Sequence, residues 1–192
     1  EENHLIGELT LRDLPSLLFC GAQDGAVRKR VGVSSLHLKK LPRLQLFRIA
    51  DEIEAKDVLM HRCPALRAIP MLALATEEEC TIKMFRVGLE KLVAGGEAAI
   101  LSELTVRRCA HLTRIDCKPE DGPAKLTCEF LPRLVKLEFN DFIDPDIVPE
   151  GQVRIARCRS LPQVTLSEMF HSCTLSDLDG LEREGADHGR AK

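Results

Sequence analysis

The stretch that decides the fold is Leu104-Thr-Val-Arg-Arg-Cys-Ala-His-Leu112, with apolar or cysteine side chains at its first, third, sixth and ninth positions. We number the first apolar residue as position 0, so that these positions are 0, +2, +5 and +8. Alternation at 0 and +2 is typical of a short strand that buries one face. The frame recurs along the chain, most completely at Val58–Leu66 and Val153–Leu161. The residues at position 0 are Leu9, Leu36, Val58, Ile82, Leu104, Leu126 and Val153.

The repeat lengths indicate a solenoid. Successive starts are 27, 22, 24, 22, 22 and 27 residues apart, and coils of this length stack so that each repeat buries the core of its neighbour. Apolar residues continue at +11 and mostly at +13. The fourth copy is irregular, because Glu90 stands at +8 between Leu89 and Leu92. We predict about seven repeats over residues 1–170, and a C-terminal cap with a disordered tail over 171–192. Seven copies disfavour the alternative, a sandwich or α/β domain with chance periodicity.

The frame resembles the leucine-rich-repeat family, in the variant with cysteine at the usual asparagine position. The phrases Cys63-Pro-Ala-Leu-Arg-Ala-Ile-Pro70, Leu41-Pro-Arg-Leu44 and Leu131-Pro-Arg-Leu134 resemble irregular repeats of plant intracellular nucleotide-binding, leucine-rich-repeat immune receptors. The resemblance implies an α/β solenoid: a horseshoe arc with a parallel sheet on its concave face and a mostly irregular convex side. One short helix is expected over 89–104, interrupted at Gly95 and Gly96. Because no G-x-x-x-x-G-K-[ST] phosphate-binding loop is present, the chain would be only the sensor end of such a receptor, or a free-standing relative.

Composition excludes several classes of protein. The net charge is −3 over 192 residues, which by itself favours neither a nucleic acid nor a membrane partner. No apolar run approaches the roughly 20 residues of a membrane helix. The opening Glu1-Glu2-Asn3-His4 is not a signal peptide. The absence of tryptophan and tyrosine suits layers of stacked leucine and isoleucine. These features predict a cytoplasmic protein without membrane contact.

The cysteines fit the core better than a reactive site. Six of the eight fall on core positions, where a thiol acts as a small buried hydrophobe: Cys63, Cys109 and Cys158 at +5, Cys128 at +2, Cys20 at +11 and Cys117 at +13. Cys80 and Cys173 lie outside the frame. No close pair suits zinc, and a nucleophilic pair of Cys109 with His111 is disfavoured because Cys109 is expected to be buried. We therefore predict no metal, no cofactor, no small-molecule substrate and no enzyme activity.

The positions that alternate with the core are unusually basic. Positions +1, +3 and +4 should face outward on the concave surface, and ten of these 21 residues are Lys or Arg, against 27 of 192 in the chain. Only Asp13 and Glu129 among them are acidic. The predicted partner-binding residues are Arg12, Lys39, Lys40, Arg62, Lys83, Phe85, Arg86, Arg107, Arg108, Phe130, Arg154 and Arg157. The compensating acids are expected on connecting or convex segments, at Asp51, Glu52, Glu54, Asp57, Glu77–Glu79, Glu120, Asp121, Asp141, Asp144 and Asp146.

This basic face predicts a macromolecular recognition module. Its partner would be an acidic protein or a neighbouring domain of a longer receptor, with Phe85 and Phe130 as apolar anchors. The family resemblance would make it the sensor and autoinhibitory repeat domain of a plant defence receptor. The alternative is an RNA- or phosphate-binding subunit of a larger complex, although two aromatic residues are few for base stacking. A substrate receptor of a ubiquitin ligase is a third hypothesis, without a recognisable adaptor-binding segment.

Overall fold

The computed structural model describes residues 6–21, 28–76, 78–121, 123–139, 152–162 and 172–176. Thirteen strands make up its regular structure, and none of these described residues is helical. The strands are β1 (Ile6–Arg12), β2 (Phe19–Gly21), β3 (Arg28–Lys39), β4 (Leu46–Arg48), β5 (Ala50–Cys63), β6 (Met71–Leu74), β7 (Glu79–Val87), β8 (Lys91–Arg107), β9 (Arg114–Asp121), β10 (Lys125–Glu129), β11 (Lys136–Phe139), β12 (Gln152–Ala156) and β13 (Ser172–Ser176).

All strand pairs are parallel, and the repeat frame sets their register. Leu9 pairs with Leu36, Leu36 with Val58, and Val58 with Ile82. The same alignment of position 0 continues through β8, β10 and β12. We call the residues from −1 to +4 of one repeat a rung, so that equal positions of neighbouring rungs lie side by side. The predicted repeat architecture, a solenoid with a parallel sheet, is confirmed.

The chain uses long strands to pass from one coil to the next. In β5, residues 52–55 pair with β6, whereas residues 57–63 pair with β7. In β8, residues 91–96 pair with β9, and residues 103–107 pair with β7 and β10. Within the described residues, strand structure therefore covers a second segment of the first six coils as well as the rungs.

The core lies between these segments and follows the frame. In the third rung, Val58 and Met60 at 0 and +2 are buried, as are Cys63 at +5 and Leu66 at +8. The first rung is the exception. Leu14 at its +5 position is 41% exposed, whereas the equivalent Leu41 is fully buried, because β1 has a neighbouring strand on one side only.

The helical part of the predicted α/β class is wrong for the described residues. The short helix expected over 89–104 is not formed, because residues 91–104 belong to β8. Tertiary pairing overrides the local pattern, because β8 is hydrogen-bonded to strands on both sides. Gly96 lets the backbones approach closely: an added Cβ there would lie 2.9 Å from the carbonyl oxygen of Leu74.

The irregular fourth copy has a turn that is one residue shorter than that of the fifth copy, counted from the repeat start to the paired residue. Leu92 pairs with Ile115, although Leu92 is ten residues from its repeat start and Ile115 is eleven. Leu89 and Leu92 are both fully buried and take the places of the +8 and +11 residues. Gly88 makes the shortened turn possible, since a Cβ there would lie 2.1 Å from the carbonyl oxygen of Pro64.

The predicted cap and tail over 171–192 lies outside the described residues, except for β13, which pairs with β12. Among the described residues, no helix is long and apolar enough to span a bilayer.

Candidate partner-binding groove

A column of left-handed backbone runs along the sheet at position +4. Each of these residues has φ between 53° and 58°, a region that side chains other than glycine occupy at a cost. The residues are Asp13, Lys40, Arg62, Arg86, Arg108, Phe130 and Arg157. The column ends each rung at the same point and turns the chain so that the +5 side chain enters the core.

Backbone hydrogen bonds hold this turn in place. The amide of Lys40 donates to the carbonyl of His61 at 2.8 Å, and the amide of Arg108 donates to the carbonyl of Glu129 at 2.9 Å. The buried thiols at +5 add to this network, since Cys109 Sγ lies 3.5 Å from the carbonyl oxygen of Arg107. The side chains at +4 therefore project from a backbone that is fixed on both sides.

The twelve predicted partner-binding residues all lie on this face of the sheet, which we call the basic face and define by positions −1, +1, +3 and +4. Those at +4 are exposed, whereas Lys39, Lys83, Phe85 and Arg107 are partly buried. Two threonines of the +1 row, Thr105 and Thr127, are 4% exposed and are not available as surface contacts.

A groove of about 310 Å³ lies on the basic face across four consecutive rungs. It brings together six of the twelve predicted residues, and it adds His61 and Glu129. Its lining residues are His61, Arg62, Phe85, Arg86, Arg107, Arg108, Glu129 and Phe130. The other six predicted residues lie outside it. Four arginines against one carboxylate give the groove a positive field.

Three of these arginines lack a carboxylate partner. Among the described residues, no Asp or Glu lies within 4.0 Å of the guanidinium groups of Arg62, Arg86 or Arg108. They occupy the +4 position of consecutive rungs, and adjacent strands are about 4.8 Å apart. We call Arg62, Arg86 and Arg108 the arginine column. Like charges at this spacing repel one another, so a bound anion would relieve the repulsion.

The fourth arginine is held differently. Arg107 Nε lies 3.2 Å from Glu129 Oε2, and Arg154 Nε is paired with the other oxygen of the same carboxylate. Glu129 is only 12% exposed. Arg107 therefore forms an ion pair between neighbouring strands of the sheet and also lines the groove.

Aromatic rings form the apolar part of the groove. The guanidinium carbon of Arg108 lies 5.4 Å from the centroid of the Phe130 ring, and that of Arg157 lies 4.6 Å from it. Such cation–π contacts fix the ring and orient both cations. Phe85 packs edge-on against His61, with ring centroids 6.1 Å apart.

His61 favours the neutral form in this setting. Burial lowers the pKa of its imidazole, and the charges of Arg62 and Arg86 lower it further. A negatively charged ligand in the groove would oppose the second effect and raise that pKa.

Three carboxylates on the basic face were missed by sequence reasoning. Glu8, Asp57 and Glu103 occupy position −1, which shares a face with +1 and +3 because side chains alternate along a strand. Asp57 was expected on a connecting or convex segment, which is wrong. The two-residue period places −1 on this face, so the sequence contained the signal.

These carboxylates neutralise part of the basic face. Lys83 Nζ lies 2.8 Å from Glu103 Oε2, and Lys125 Nζ lies 3.5 Å from Glu103 Oε1. Burial raises the pKa of Glu103, but hydrogen bonds from Lys83 and Thr105 outweigh it, so the pKa is lowered overall. The basic face therefore carries charges of both signs.

No metal-binding cluster of three or more His, Cys, Asp or Glu residues occurs within the described ranges. Seven cysteines are free thiols: Cys20, Cys63, Cys80, Cys109, Cys117, Cys128 and Cys158. Burial raises the pKa of Cys109 to about 11 and that of Cys117 to about 12, so both are protonated at neutral pH and poor nucleophiles.

No family model, curated protein or solved structure matches this chain.

Proposed function

We propose that the protein is a recognition module that binds an acidic protein segment through the groove. The observation that carries this proposal is the arginine column: three consecutive rungs present an exposed arginine that has no carboxylate partner in the described part of the chain. Elsewhere on the basic face, cations such as Lys83 and Arg154 have such partners. Charge complementarity of this kind steers an anionic partner and selects against cationic ones.

Two features favour a protein partner over RNA. The carboxylates Glu8, Asp57 and Glu103 lie at −1, beside the cations at +1, and would repel a phosphate backbone that extended from the groove across the rest of the basic face. Phe85 is partly buried and packed against His61, so its ring is poorly placed to stack on a splayed base. A partner segment with an apolar side chain between its own carboxylates fits the groove better than an RNA strand does.

The wider setting is proposed from the resemblance in sequence. A leucine-rich-repeat relationship, with the basic face on the inside of a horseshoe arc, would place this domain at the sensor end of a cytoplasmic plant immune receptor. There the acidic partner would be a ligand or a neighbouring domain of the receptor itself. The parallel solenoid is consistent with this setting. The second candidate function is that of an RNA-binding subunit of a larger complex.

The test compares two anionic probes. Fluorescence anisotropy would measure binding of labelled polyglutamate and polyuridylate, each about ten units long, at about 50 and about 200 mM salt. The variant carries Arg62→Ala, Arg86→Ala and Arg108→Ala. Its matched control carries Arg43→Ala, Lys91→Ala and Arg133→Ala, which remove three exposed charges outside the groove.

We expect polyglutamate to bind the parent protein and the control alike, and to lose about tenfold or more in affinity for the arginine-column variant. Tighter binding of polyuridylate with a steep salt dependence would favour the RNA alternative. Equal losses in the variant and the control would show only a general charge effect and would overturn the proposal.

A further inference from the structure

We infer that the acidic segment is an α-helix lying across the rungs, along the solenoid axis. This inference rests on the proposed function and specifies the shape of the partner. It derives from the spacing of the arginine column and from the position of the two phenylalanines relative to it.

The spacing of the arginine column indicates which backbone conformation of the partner segment can reach all three arginines. Strands in a parallel sheet are about 4.8 Å apart, so the three arginines start from points about 4.8 and 9.6 Å along the axis. A helix rises about 1.5 Å per residue. Residues i, i+3 and i+7 lie on one helix face at about 0, 4.5 and 10.5 Å. A helix with carboxylates at these positions can place one opposite each arginine.

An extended segment does not match this spacing. Side chains on one face of a strand recur about every 6.8 Å, so the third carboxylate would lie about 13.6 Å along the axis, well beyond Arg108. A segment that runs parallel to the rungs instead would meet the +4 position of a single rung. Neither arrangement engages all three arginines.

The apolar residues of the groove extend the match. Phe85 belongs to the rung of Arg86, and Phe130 ends the rung after that of Arg108. The two rings are therefore two rungs apart, about the rise of seven helical residues. The helix would carry one apolar residue beside its acidic stripe, opposite Phe85, and a second about seven positions on, opposite Phe130 at the end of the stripe. The Phe130 ring is held by Arg108 and Arg157, so it is ordered before the partner arrives.

The test uses three alanine-based peptides of equal length and charge. One carries glutamates at i, i+3 and i+7 with leucines beside them. The second has the same composition, with glutamates spread around the helix. The third is the striped peptide with a central proline, which breaks the helix. Isothermal titration calorimetry would measure binding to the parent protein and to the arginine-column variant.

We expect the striped peptide to bind about tenfold more tightly than the other two, and only this peptide to depend strongly on the arginine column. If all three bind equally and all depend on the column, acidic recognition stands and the helix inference is overturned. If none binds, the proposed function fails together with the inference.

Pairing of individual positions gives a second, independent readout. A striped peptide with Gln in place of the glutamate at i+3 should no longer respond to Arg86→Ala, but it should still respond to Arg62→Ala and Arg108→Ala. Additive losses at every pair of positions would show that the peptide has no fixed register and would overturn the inference.

Discussion

At the scale of single residues, the molecule places charged side chains where the backbone is least tolerant of them. The left-handed region costs a residue other than glycine about 1–2 kcal/mol, and Arg62 has φ 58°. Glycine would satisfy the turn without this cost. The presence of arginine in three consecutive turns is therefore not explained by the needs of the fold, which supports a binding role.

The backbone cost can be measured by exchanging Arg62 for uncharged residues. We expect the free energy of unfolding to rank Arg62→Gly above Arg62→Asn, and both above Arg62→Val, with about 1–2 kcal/mol between the extremes. Asparagine tolerates the left-handed region and valine does not. Urea unfolding at fixed salt would give the three values.

The same exchange at Arg154, inside strand β12, provides the control. There the ranking of valine and glycine should invert, because β-branched residues favour strands and glycine weakens them. If valine were as well tolerated as glycine at Arg62, the left-handed turn would not constrain that position.

At the scale of structural elements, the rungs could be predicted from the sequence because they obey a strict local rule. Positions 0 and +2 are apolar in every copy, and side-chain alternation then fixes which residues face outward. The second segment of each coil could not be predicted this way. Residues 89–104 contain leucines at helix-like spacing, but residues 91–104 are strand because they pair with β6, β7, β9 and β10. The secondary structure of such a segment depends on which distant strands pair with it, and the local sequence does not show that pairing.

The shortened turn after β7 depends on Gly88. An added Cβ would lie 2.1 Å from the carbonyl oxygen of Pro64 and 3.0 Å from that of Leu66, and backbone atoms cannot move aside without disturbing the stack. We expect Gly88→Ala to lower the free energy of unfolding by about 2 kcal/mol or more, as measured by thermal and urea unfolding.

Gly7→Ala is the matched control for this substitution. Gly7 lies in β1, and an added Cβ there would have no neighbour within 4 Å. Its stability should change by less than about 0.5 kcal/mol. Equal effects of both substitutions would mean that the turn after β7 is not tightly packed.

At the scale of the whole molecule, some cations of the basic face form ion pairs between neighbouring strands, whereas those of the arginine column are not neutralised by carboxylates of the described residues. The excess of cations on the basic face could be predicted from the sequence. Which of these cations are ion-paired could not be predicted, because the pairs form between neighbouring rungs: Glu103 pairs with Lys83, and Glu129 pairs with Arg107. The arginine column, like Lys39, has no carboxylate partner among the described residues, and the column lines the groove.

Charge reversal at two neighbouring positions separates the two uses of charge. Arg86→Glu would replace repulsion from Arg62 and Arg108 with attraction, so the free energy of unfolding should stay unchanged or rise by about 0.5 kcal/mol. Arg107→Glu would place a second carboxylate beside the largely buried Glu129, and should lower it by about 1–2 kcal/mol. Both variants should lose affinity for polyglutamate.

The gain in stability of Arg86→Glu should shrink as salt rises, because the Debye length is only about 10 Å at 0.1 M ionic strength. If Arg86→Glu destabilised the protein as much as Arg107→Glu, the column would be part of the structural network, and the case for a binding groove would lose its main support.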